Sequence, residues 1–393
     1  MCTVWPFWFD PESSPLHRGE RGAARVDIRR EDAAGGVGSQ RDENTSSVAM
    51  KVAMLGPIAW RTPPRHYGPW ERVTSLLTEG LVRRGVDVTL FATADSLTSA
   101  TLESVAPHGY AEDADMDGRV WEALHIAHAM DLSSGFDLVH NQLDWLPLAF
   151  DAQWGAPMVT TIHGFSGDAI LPAYERARST FVSISDADRS PALTYAATVH
   201  HGIDMTEFEI PDAATAPMAR DDLVVFGRIH PDKGIVDAID IAARAGRRLV
   251  ICGIVQDAVY FAEQVEPRID GDRVVFRGSV GPAERAEVLA SAAVLLHPIH
   301  FAEPFGLSVI EAMACGTPVV AYRRGSMPEV VDDGVTGFVV DGIAEAADAV
   351  PRAAALDRTA VRTRARERFD VERMVDGYLE VYRSVLGRPG RLA

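Results

Sequence analysis

The sequence has little cysteine: only Cys2, Cys252 and Cys315 occur, and no two of them have the spacing of a metal-ligand pair. Cys252 and Cys315 lie in apolar stretches. The pattern therefore argues against a disulfide framework and against a cysteine-based zinc motif. It predicts a reduced, cytoplasmic protein with buried thiols.

The sequence also lacks a long apolar run and an excess of positive charge. No apolar segment approaches the ~18 residues that a membrane-spanning helix needs. The N-terminal aromatic residues are interrupted by Pro6 and Asp10 and do not resemble a signal peptide. The formal net charge of −18 at pH 7 argues against nucleic acid or an anionic membrane surface as a partner. We expect no nucleic-acid binding and no stable membrane insertion, and the oligomeric state stays open.

The chain has enough length and apolar content for two α/β domains, with 393 residues of which 47% are hydrophobic. Residues 1–49 differ from the rest, because they are rich in Gly, Ser and charged residues and show no sustained hydrophobic period. We expect them to form a disordered N-terminal extension. A chain that begins at Met50 should then keep full activity and melting temperature.

In residues 50–200, short apolar runs alternate with helical patterns, which is typical of a doubly wound domain with a parallel sheet. The predicted strands are 52–55, 86–92, 137–141, 158–163 and 181–185, and the predicted helices are 70–84 and 120–130. Polar residues at the carboxyl ends of such strands face the crevice of the sheet, and His163 has this position.

The loop after the first predicted strand carries a local basic cluster of Arg61, Arg65, His66 and Arg72. Two interpretations stay open at this point, a solvated loop or a subsite for an anionic or polyhydroxyl acceptor. The aspartates between residues 113 and 117 have no further ligands at suitable spacing, which favours a solvated acidic loop over a metal site.

The second half of the chain repeats the α/β alternation. Its predicted strands are 223–226, 247–253, 273–280, 294–297 and 318–322, with helices at 235–245, 307–314 and 371–385. The segment GRIHPDKG follows the first of these strands and places Arg228 and Lys233 at the start of the next helix. Two cations beside free backbone N–H groups are what a diphosphate requires.

A second anion site is indicated by EPFGLSVIEAMACGTPVVA, where a loop leads from a strand into a helix. The N–H groups of Gly306 and Leu307 lie at the positive end of that helix, and glycine allows a phosphate to approach closely. The carboxylates of Glu303 and Glu311 repel phosphate, so they are expected to accept hydrogen bonds from sugar or ribose hydroxyl groups.

Glu303 and Glu311, with seven residues between them in this string, resemble the E-x(7)-E signature of the retaining family 4 glycosyltransferases. The resemblance covers about residues 50–386. It implies the α/β GT-B fold, in which two Rossmann-like, doubly wound domains face a central cleft. Residues 50–200 would form the acceptor domain, residues 201–368 the nucleotide-sugar donor domain, and residues 369–393 a C-terminal helix that crosses back to the first domain.

The same resemblance implies roles for single residues in the donor domain. Arg228 and Lys233 match the family's G-R-x(4)-K-G motif and would bind the diphosphate. Glu303 would hold sugar hydroxyl groups and Glu311 the ribose. The remaining donor-binding residues implied are Gly253 and Val280, whose backbone would hold the base, and Phe305, Gly306 and Leu307.

In the acceptor domain, His163 fits a T-x-HG motif whose histidine points at the donor sugar. Tyr67 and Gly68 stand where the family has a loop that contacts the donor phosphate or the acceptor, but Pro69 replaces the usual second glycine and donates no N–H. His201 stands where the family's interdomain turn usually has asparagine.

The implied activity is transfer of a sugar from a UDP- or GDP-sugar to a hydroxyl of a small-molecule or glycan acceptor, with retention and without a metal or cofactor. Antibiotic or other secondary-metabolite pathways and glycan synthesis are suitable settings. Two alternatives stay open, a nucleotide-sugar epimerase of the same architecture and a catalytically silent sugar-nucleotide-binding subunit. A nicotinamide dehydrogenase is disfavoured, because no strand leads into a G-x-G-x-x-G fingerprint.

Overall fold

The computed structural model describes residues 49–65, 68–164, 167–208 and 221–387. Residues 1–48, on which the predicted N-terminal extension falls, lie outside the described residues, as do Tyr67 and His66.

Two parallel sheets organise this part of the chain. The strands are β1 Lys51–Leu55, β2 Asp87–Phe91, β3 Thr101–Glu103, β4 Leu138–Asn141, β5 Met158–Ile162, β6 Thr180–Ser183, β7 Tyr195–Thr198, β8 Leu223–Phe226, β9 Leu249–Cys252, β10 Val274–Gly278, β11 Val294–His297, β12 Val319–Tyr322 and β13 Gly337–Val340. Most are short runs of buried apolar residues, as expected for strands covered on both faces.

The helices connect and cover these strands. They are α1 Pro69–Arg83, α2 Gly118–Leu132, α3 Leu171–Arg176, α4 Ile235–Ala245, α5 Ala258–Tyr260, α6 Pro282–Ser291, α7 Leu307–Ala314, α8 Met327–Val330, α9 Ile343–Ala354, α10 Arg358–Phe369 and α11 Val371–Val385. In α1, Pro69 occupies the first turn, where its missing N–H costs nothing, and Val73, Leu77 and Leu81 form the buried stripe.

The strand order of both sheets reverses at one point. The first sheet has the order β3-β2-β1-β4-β5-β6-β7 and the second has the order β10-β9-β8-β11-β12-β13, with every pair of neighbouring strands parallel. The reversal lies between β1 and β4 in the first sheet and between β8 and β11 in the second. Ligands bind in the crevice at the carboxyl ends of the strands at such points. The prediction of two Rossmann-like sheets is therefore confirmed.

The last helix, α11, packs on the first sheet rather than on the second. Tyr378 and Tyr382 are fully buried there, and the Tyr382 hydroxyl lies 2.6 Å from Nδ1 of His140 in β4. Val375 of α11 contacts α1 so closely that a Cβ on Gly80 would lie 2.3 Å from its Cγ2 atom. The chain thus returns from the second lobe to the first at its C-terminal end.

Candidate active site

The loops after β8 and β11 lie side by side at the switch point of the second sheet. An ion pair between Lys233 and Glu303 connects the two loops. The Nζ atom of Lys233 lies 3.1 Å from Oε2 of Glu303, and each side chain is 14% exposed. The same ammonium lies 4.4 Å from the centroid of the Phe301 ring, a cation–π contact. Lys233, which is predicted to bind the diphosphate, and Glu303, which is predicted to bind the sugar, therefore form one largely buried ion pair.

The electrostatics of this pair keep Glu303 ionised. Burial by itself would raise the pKa of the Glu303 carboxyl. The positive charge of Lys233 and the contact with His297 outweigh burial and lower the pKa to about 2. The Nε2 atom of His297 lies 3.5 Å from Oε2 of Glu303. Glu303 thus accepts hydrogen bonds at any physiological pH and has no proton to donate.

Helix α7 begins directly behind this pair. Gly306 has a φ of +89°, and a Cβ at this position would lie 2.8 Å from Cε of Met327. Only glycine adopts this conformation without strain. The Gly306 carbonyl accepts the N–H of Val309 at 3.0 Å, which starts the first turn. The first N–H groups of α7, at Leu307 and beyond, therefore point toward the loop that carries Glu303.

The other predicted donor-binding residues line the same end of the second sheet. Arg228 follows β8, and its guanidinium contacts the side chain of Gln256. Gly253 follows β9 and donates its N–H to the carbonyl of Gly278 at 2.8 Å. Val280 follows β10 and packs against the core beside α7. The loops after three neighbouring strands thus place backbone groups of Gly253 and Val280 and the guanidinium of Arg228 at one end of the second sheet.

Glu311 lies in α7 and is only 3% exposed. Its carboxylate contacts the guanidinium of Arg285 from α6. That guanidinium also lies 5.2 Å from the centroid of the Phe226 ring. On the other side, the negative charge of Glu311 helps to raise the pKa of Arg72 in α1, where burial by itself would lower it. Glu311 therefore lies between cations of both lobes.

His163 follows β5 in the first lobe and is 6% exposed. Its Nε2 atom lies 2.6 Å from Oε1 of Gln142, and its Nδ1 atom lies 3.4 Å from Nε2 of His201. Its ring is stacked between Trp70 and His201, with centroid distances of 5.3 and 5.2 Å. Burial lowers the pKa of His163 to about 3. A bond from this ring to a sugar would have to replace one of these protein contacts.

Phe305 connects this stack to the second lobe. Its ring is 2% exposed and packs edge-on against His201 at a centroid distance of 5.1 Å and against Phe369 at 5.9 Å. Phe305 is thus a packing residue between the lobes in this structure. The Oε1 atom of Glu329 in α8 lies 2.6 Å from Nε2 of His200 and adds a polar contact across the same boundary.

Two arginines of the predicted basic cluster, Arg65 and Arg72, are paired with carboxylates. Arg65 pairs with Asp95 and Glu112, each at 3.1 Å, and Arg72 pairs with Glu207. Gly68, a predicted loop residue, caps α1, whereas its predicted companion Tyr67 lies outside the described residues. Arg65 is exposed, as the interpretation of a solvated loop expects, whereas Arg72 lies in α1 with its side chain 22% exposed. Carboxylates offset the charges of these two arginines.

Three contacts of the site were not predicted from the sequence. Gln142 orients His163, His297 supports Glu303, and Arg285 pairs with Glu311. The positions of Gln142 and His297 could have been noticed in the sequence, because each is a polar residue at the carboxyl end of a predicted strand. Arg285 is one arginine among the charged residues of α6, and only the packing of α6 against α7 identifies it.

Metal and membrane features are absent from the described part of the chain. No group of three or more His, Cys, Asp or Glu side chains there is arranged to hold a metal ion. No helix among the described ranges is both long and apolar enough to cross a bilayer.

Two family descriptions match the chain in succession. Residues 70–202 match Glycosyltransferase Family 4, and residues 207–368 match Glycosyl transferases group 1. Together the two matches cover most of both lobes, without β1 and α11, and all of the described donor-site residues named above.

Individual relatives agree with this assignment. The chain is 29% identical over 387 residues to a D-inositol 3-phosphate glycosyltransferase of Thermobifida fusca, covering 78% of this chain and 86% of that protein. It is similar to the crystal structure of AviGT4, a glycosyltransferase involved in avilamycin A biosynthesis, with 26% identity, a TM-score of 0.67 and coverage of 86% and 99%. HepE of Anabaena, solved with UDP and glucose, has the same fold, with a TM-score of 0.65 at 20% identity and coverage of 85% and 100%.

One conclusion follows from the two family matches, from the strand order that the two parallel sheets share, and from these relatives. The chain is a glycosyltransferase that belongs to family 4 and has the GT-B fold.

Proposed function

We propose that this protein transfers a sugar from a nucleoside diphosphate sugar to a hydroxyl group of an acceptor, with retention at the anomeric carbon. The observation that supports the proposal most is the pair of Lys233 and Glu303 beside the N-terminus of α7. It combines a cation and helix N–H groups, which suit a diphosphate, with an ionised carboxylate, which suits sugar hydroxyl groups.

In the proposed reaction, the bond between the anomeric carbon and the diphosphate oxygen breaks, and its electron pair stays on that oxygen. The acceptor oxygen bonds to the anomeric carbon on the same face, and the acceptor proton passes to the departing phosphate. Negative charge therefore develops on the diphosphate. Lys233, Arg228 and the first N–H groups of α7 would stabilise this charge, which is how preorganised donors lower such barriers.

Glu303 has a binding role in this mechanism rather than a proton-transfer role. Its low pKa means that it stays ionised and accepts hydrogen bonds from hydroxyl groups of the sugar. Donor binding would give Lys233 a second anionic partner, so the ammonium would be shared between Glu303 and the diphosphate. Glu311, now in contact with Arg285, would accept a hydrogen bond from the ribose.

The acceptor is proposed to bind to the lobe of the first sheet, at the carboxyl ends of β1 and β4. Relatives of this chain are named for action on an inositol phosphate. In this chain the carboxylate partners of Arg65 and Arg72 offset both positive charges. We therefore propose a hydroxyl acceptor whose binding does not depend on those two arginines.

The test is nucleotide release from a panel of UDP- and GDP-sugars, first without acceptor and then with added polyols and sugars. UDP-glucose is the first donor to try, because a neighbour of the same fold was solved with UDP and glucose. We expect slow donor hydrolysis without acceptor and faster release with a matching acceptor. Isomerised nucleotide sugar without acceptor would instead identify an epimerase, and donor binding without release a silent subunit.

A matched pair of variants tests the diphosphate site. The sequence contains only two lysines, Lys233 and Lys51, and Lys51 is an exposed residue of β1. Lys233→Ala should lower turnover on the order of 10² or more, because it removes a charge that stabilises the transition state. Lys51→Ala should leave turnover unchanged. Wild-type turnover and donor affinity in Lys233→Ala would mean that the diphosphate binds elsewhere.

A further inference from the structure

The loop after β6 carries Asp188 to the boundary between the two lobes. The backbone N–H of Asp188 donates to the Ser185 hydroxyl oxygen at 3.1 Å. That hydroxyl in turn donates to the carbonyl of Pro304 at 2.7 Å. Because Pro304 directly follows Glu303, two hydrogen bonds tie the backbone of Asp188 to the loop that carries the predicted sugar ligand.

The side chain of Asp188 also lies close to the segment that follows His163. A Cβ built on Gly164 would lie 3.7 Å from Oδ1 of Asp188 and 2.4 Å from Cγ of Pro304. Asp188, Gly164 and Pro304 therefore meet at one point. Each of the last two is adjacent in sequence to a residue that is expected to contact the donor sugar.

One oxygen of this carboxyl group lacks a partner. The Oδ2 atom of Asp188 is shielded from solvent and accepts no hydrogen bond from any described residue. Leaving a polar atom buried and unpaired is unfavourable, and more so for a charged group. Such an atom, next to the loops that carry Glu303 and His163, is suited to a ligand that brings its own hydrogen-bond donor.

The charges around Asp188 indicate which kind of hydrogen-bonding group can bind its Oδ2 atom. Burial, and after it the negative charge of Glu303, raises the pKa of the Asp188 carboxyl to about 7. A second anion such as phosphate would add repulsion from both carboxyl groups. A sugar hydroxyl is neutral and donates a hydrogen bond, so it stabilises the carboxylate without adding charge.

We propose that Asp188 is a specificity-determining residue that accepts a hydrogen bond from one hydroxyl group of the transferred sugar. The inference rests on the proposed function, because it requires a nucleotide-sugar donor. Glu303 would hold the sugar from the second lobe and Asp188 from the first. The transferred sugar would thus be read by carboxylates from both sides of the cleft.

The experiment combines removal of the carboxylate with removal of single hydroxyl groups from the donor. UDP-glucose, UDP-galactose, UDP-N-acetylglucosamine and GDP-mannose are first compared with the parent protein. The nucleotide sugar with the highest kcat/KM is then used, together with its monodeoxy forms. Each is assayed with the parent protein, with Asp188→Ala and with Asp186→Ala. Asp186 is an exposed carboxylate of the same loop that contacts Thr198 and Arg189, so it controls for loss of charge in this segment.

One monodeoxy donor should lose roughly 10- to 100-fold in kcat/KM with the parent, as expected for a hydrogen bond to a charged group. Asp188→Ala should lose a similar factor with the complete donor and lose little more with that same deoxy donor. Asp186→Ala should behave like the parent with every donor. Melting temperatures of all three proteins show whether Asp188→Ala is folded, and Asp188→Asn serves if it is not.

The outcomes separate the inference from the proposed function. If Asp188→Ala shows the same deoxy penalties as the parent, the carboxylate does not read the sugar and the inference is wrong. In that case, an overall fall of kcat/KM in Asp188→Ala that is equal for complete and deoxy donors would show that Asp188 has only a structural role. If the parent turns over none of the nucleotide sugars, the proposed function fails and the inference fails with it.

Discussion

Gln142 sets the tautomer of His163, because the Nε2 atom of His163 lies 2.6 Å from the amide oxygen of Gln142, which can only accept. Nε2 therefore carries the proton, and Nδ1 is the acceptor that faces Nε2 of His201. The amide nitrogen of Gln142 lies 3.0 Å from Nε2 of His140. One fully buried glutamine thus contacts two histidines directly and a third, His201, through His163.

Gln142→Leu should destabilise the protein by roughly 1–3 kcal/mol, because it leaves the buried Nε2–H of His163 without an acceptor, whereas Nε2 of His140 keeps the Thr161 hydroxyl at 2.8 Å. Urea unfolding of the variant and the parent measures the difference. Gln153→Leu is the control, since Gln153 is exposed, and its effect should stay within about 0.5 kcal/mol. Equal stability of Gln142→Leu and the parent would contradict the assigned tautomer.

Gly164→Ala should impair catalysis. The new Cβ would lie 2.4 Å from Cγ of Pro304, and the φ of +102° at this position strains any other residue. The loop that carries Glu303 must therefore move away from the first lobe, and we expect kcat/KM for donor hydrolysis to fall roughly tenfold or more.

The control is Gly167→Ala in the same loop, where a Cβ would meet no heavy atom of a described residue within 4 Å. Steady-state kinetics of the two variants should separate them clearly. Equal kcat/KM values in Gly164→Ala and Gly167→Ala would show that the contact with Pro304 does not position the loop.

Asp144→Asn should gain stability relative to the parent as the pH rises. Burial, with a smaller contribution from the charge of Glu122, outweighs the hydrogen bond from Tyr174 and raises the pKa of Asp144 to about 7. Between about pH 4 and 7 the folded protein holds a proton that the unfolded chain has lost. The parent therefore loses stability through this group as pH rises, by at most about 1.4 kcal/mol per pH unit.

Asparagine does not titrate and can still accept the Tyr174 hydroxyl, which lies 2.7 Å from Oδ1. The difference in unfolding free energy between Asp144→Asn and the parent, measured in urea at pH 4.5, 5.5, 6.5 and 7.5, should grow with pH and then level off. A difference that is constant across this range would mean that Asp144 titrates near its ordinary pKa in the folded protein.

Removal of divalent ions should leave turnover unchanged. The proposed mechanism meets the charge of the diphosphate with Lys233, Arg228 and the N-terminus of α7, so a metal ion would duplicate charge already in place. Nucleotide release in excess EDTA should equal release in the presence of Mg²⁺. Loss of turnover in EDTA that added Mg²⁺ or Mn²⁺ restores would contradict metal independence.

Elements with a strong apolar pattern were predicted well from the sequence. The runs 223–226 and 294–297 are the strands β8 and β11, and the period of Val73, Leu77 and Leu81 predicted α1. Burial on both faces makes such strands uniformly apolar, and burial on one face gives a helix its period of 3.6 residues. Both signals are local, so they are visible without any knowledge of the fold.

Two strands of the first sheet, β3 and β7, were not predicted. They are the edge strands, three and four residues long, and their side chains are mostly half-buried or exposed. An edge strand is covered on fewer sides, so its sequence need not be apolar. Helices α9 and α10 and strand β13 were also not predicted.

Local sequence patterns are sufficient to predict the apolar central strands and the helices with a clear period, and to place Arg228, Lys233, Glu303 and Gly306 at strand and helix ends. These features depend on residues that are neighbours along the chain. Which side chains meet depends on the folded arrangement, as for Lys233 with Glu303 from 70 residues away or Asp188 with the Pro304 loop. Those contacts depend on the strand order and on the packing of the two lobes, and hydrophobic periodicity carries no information about either.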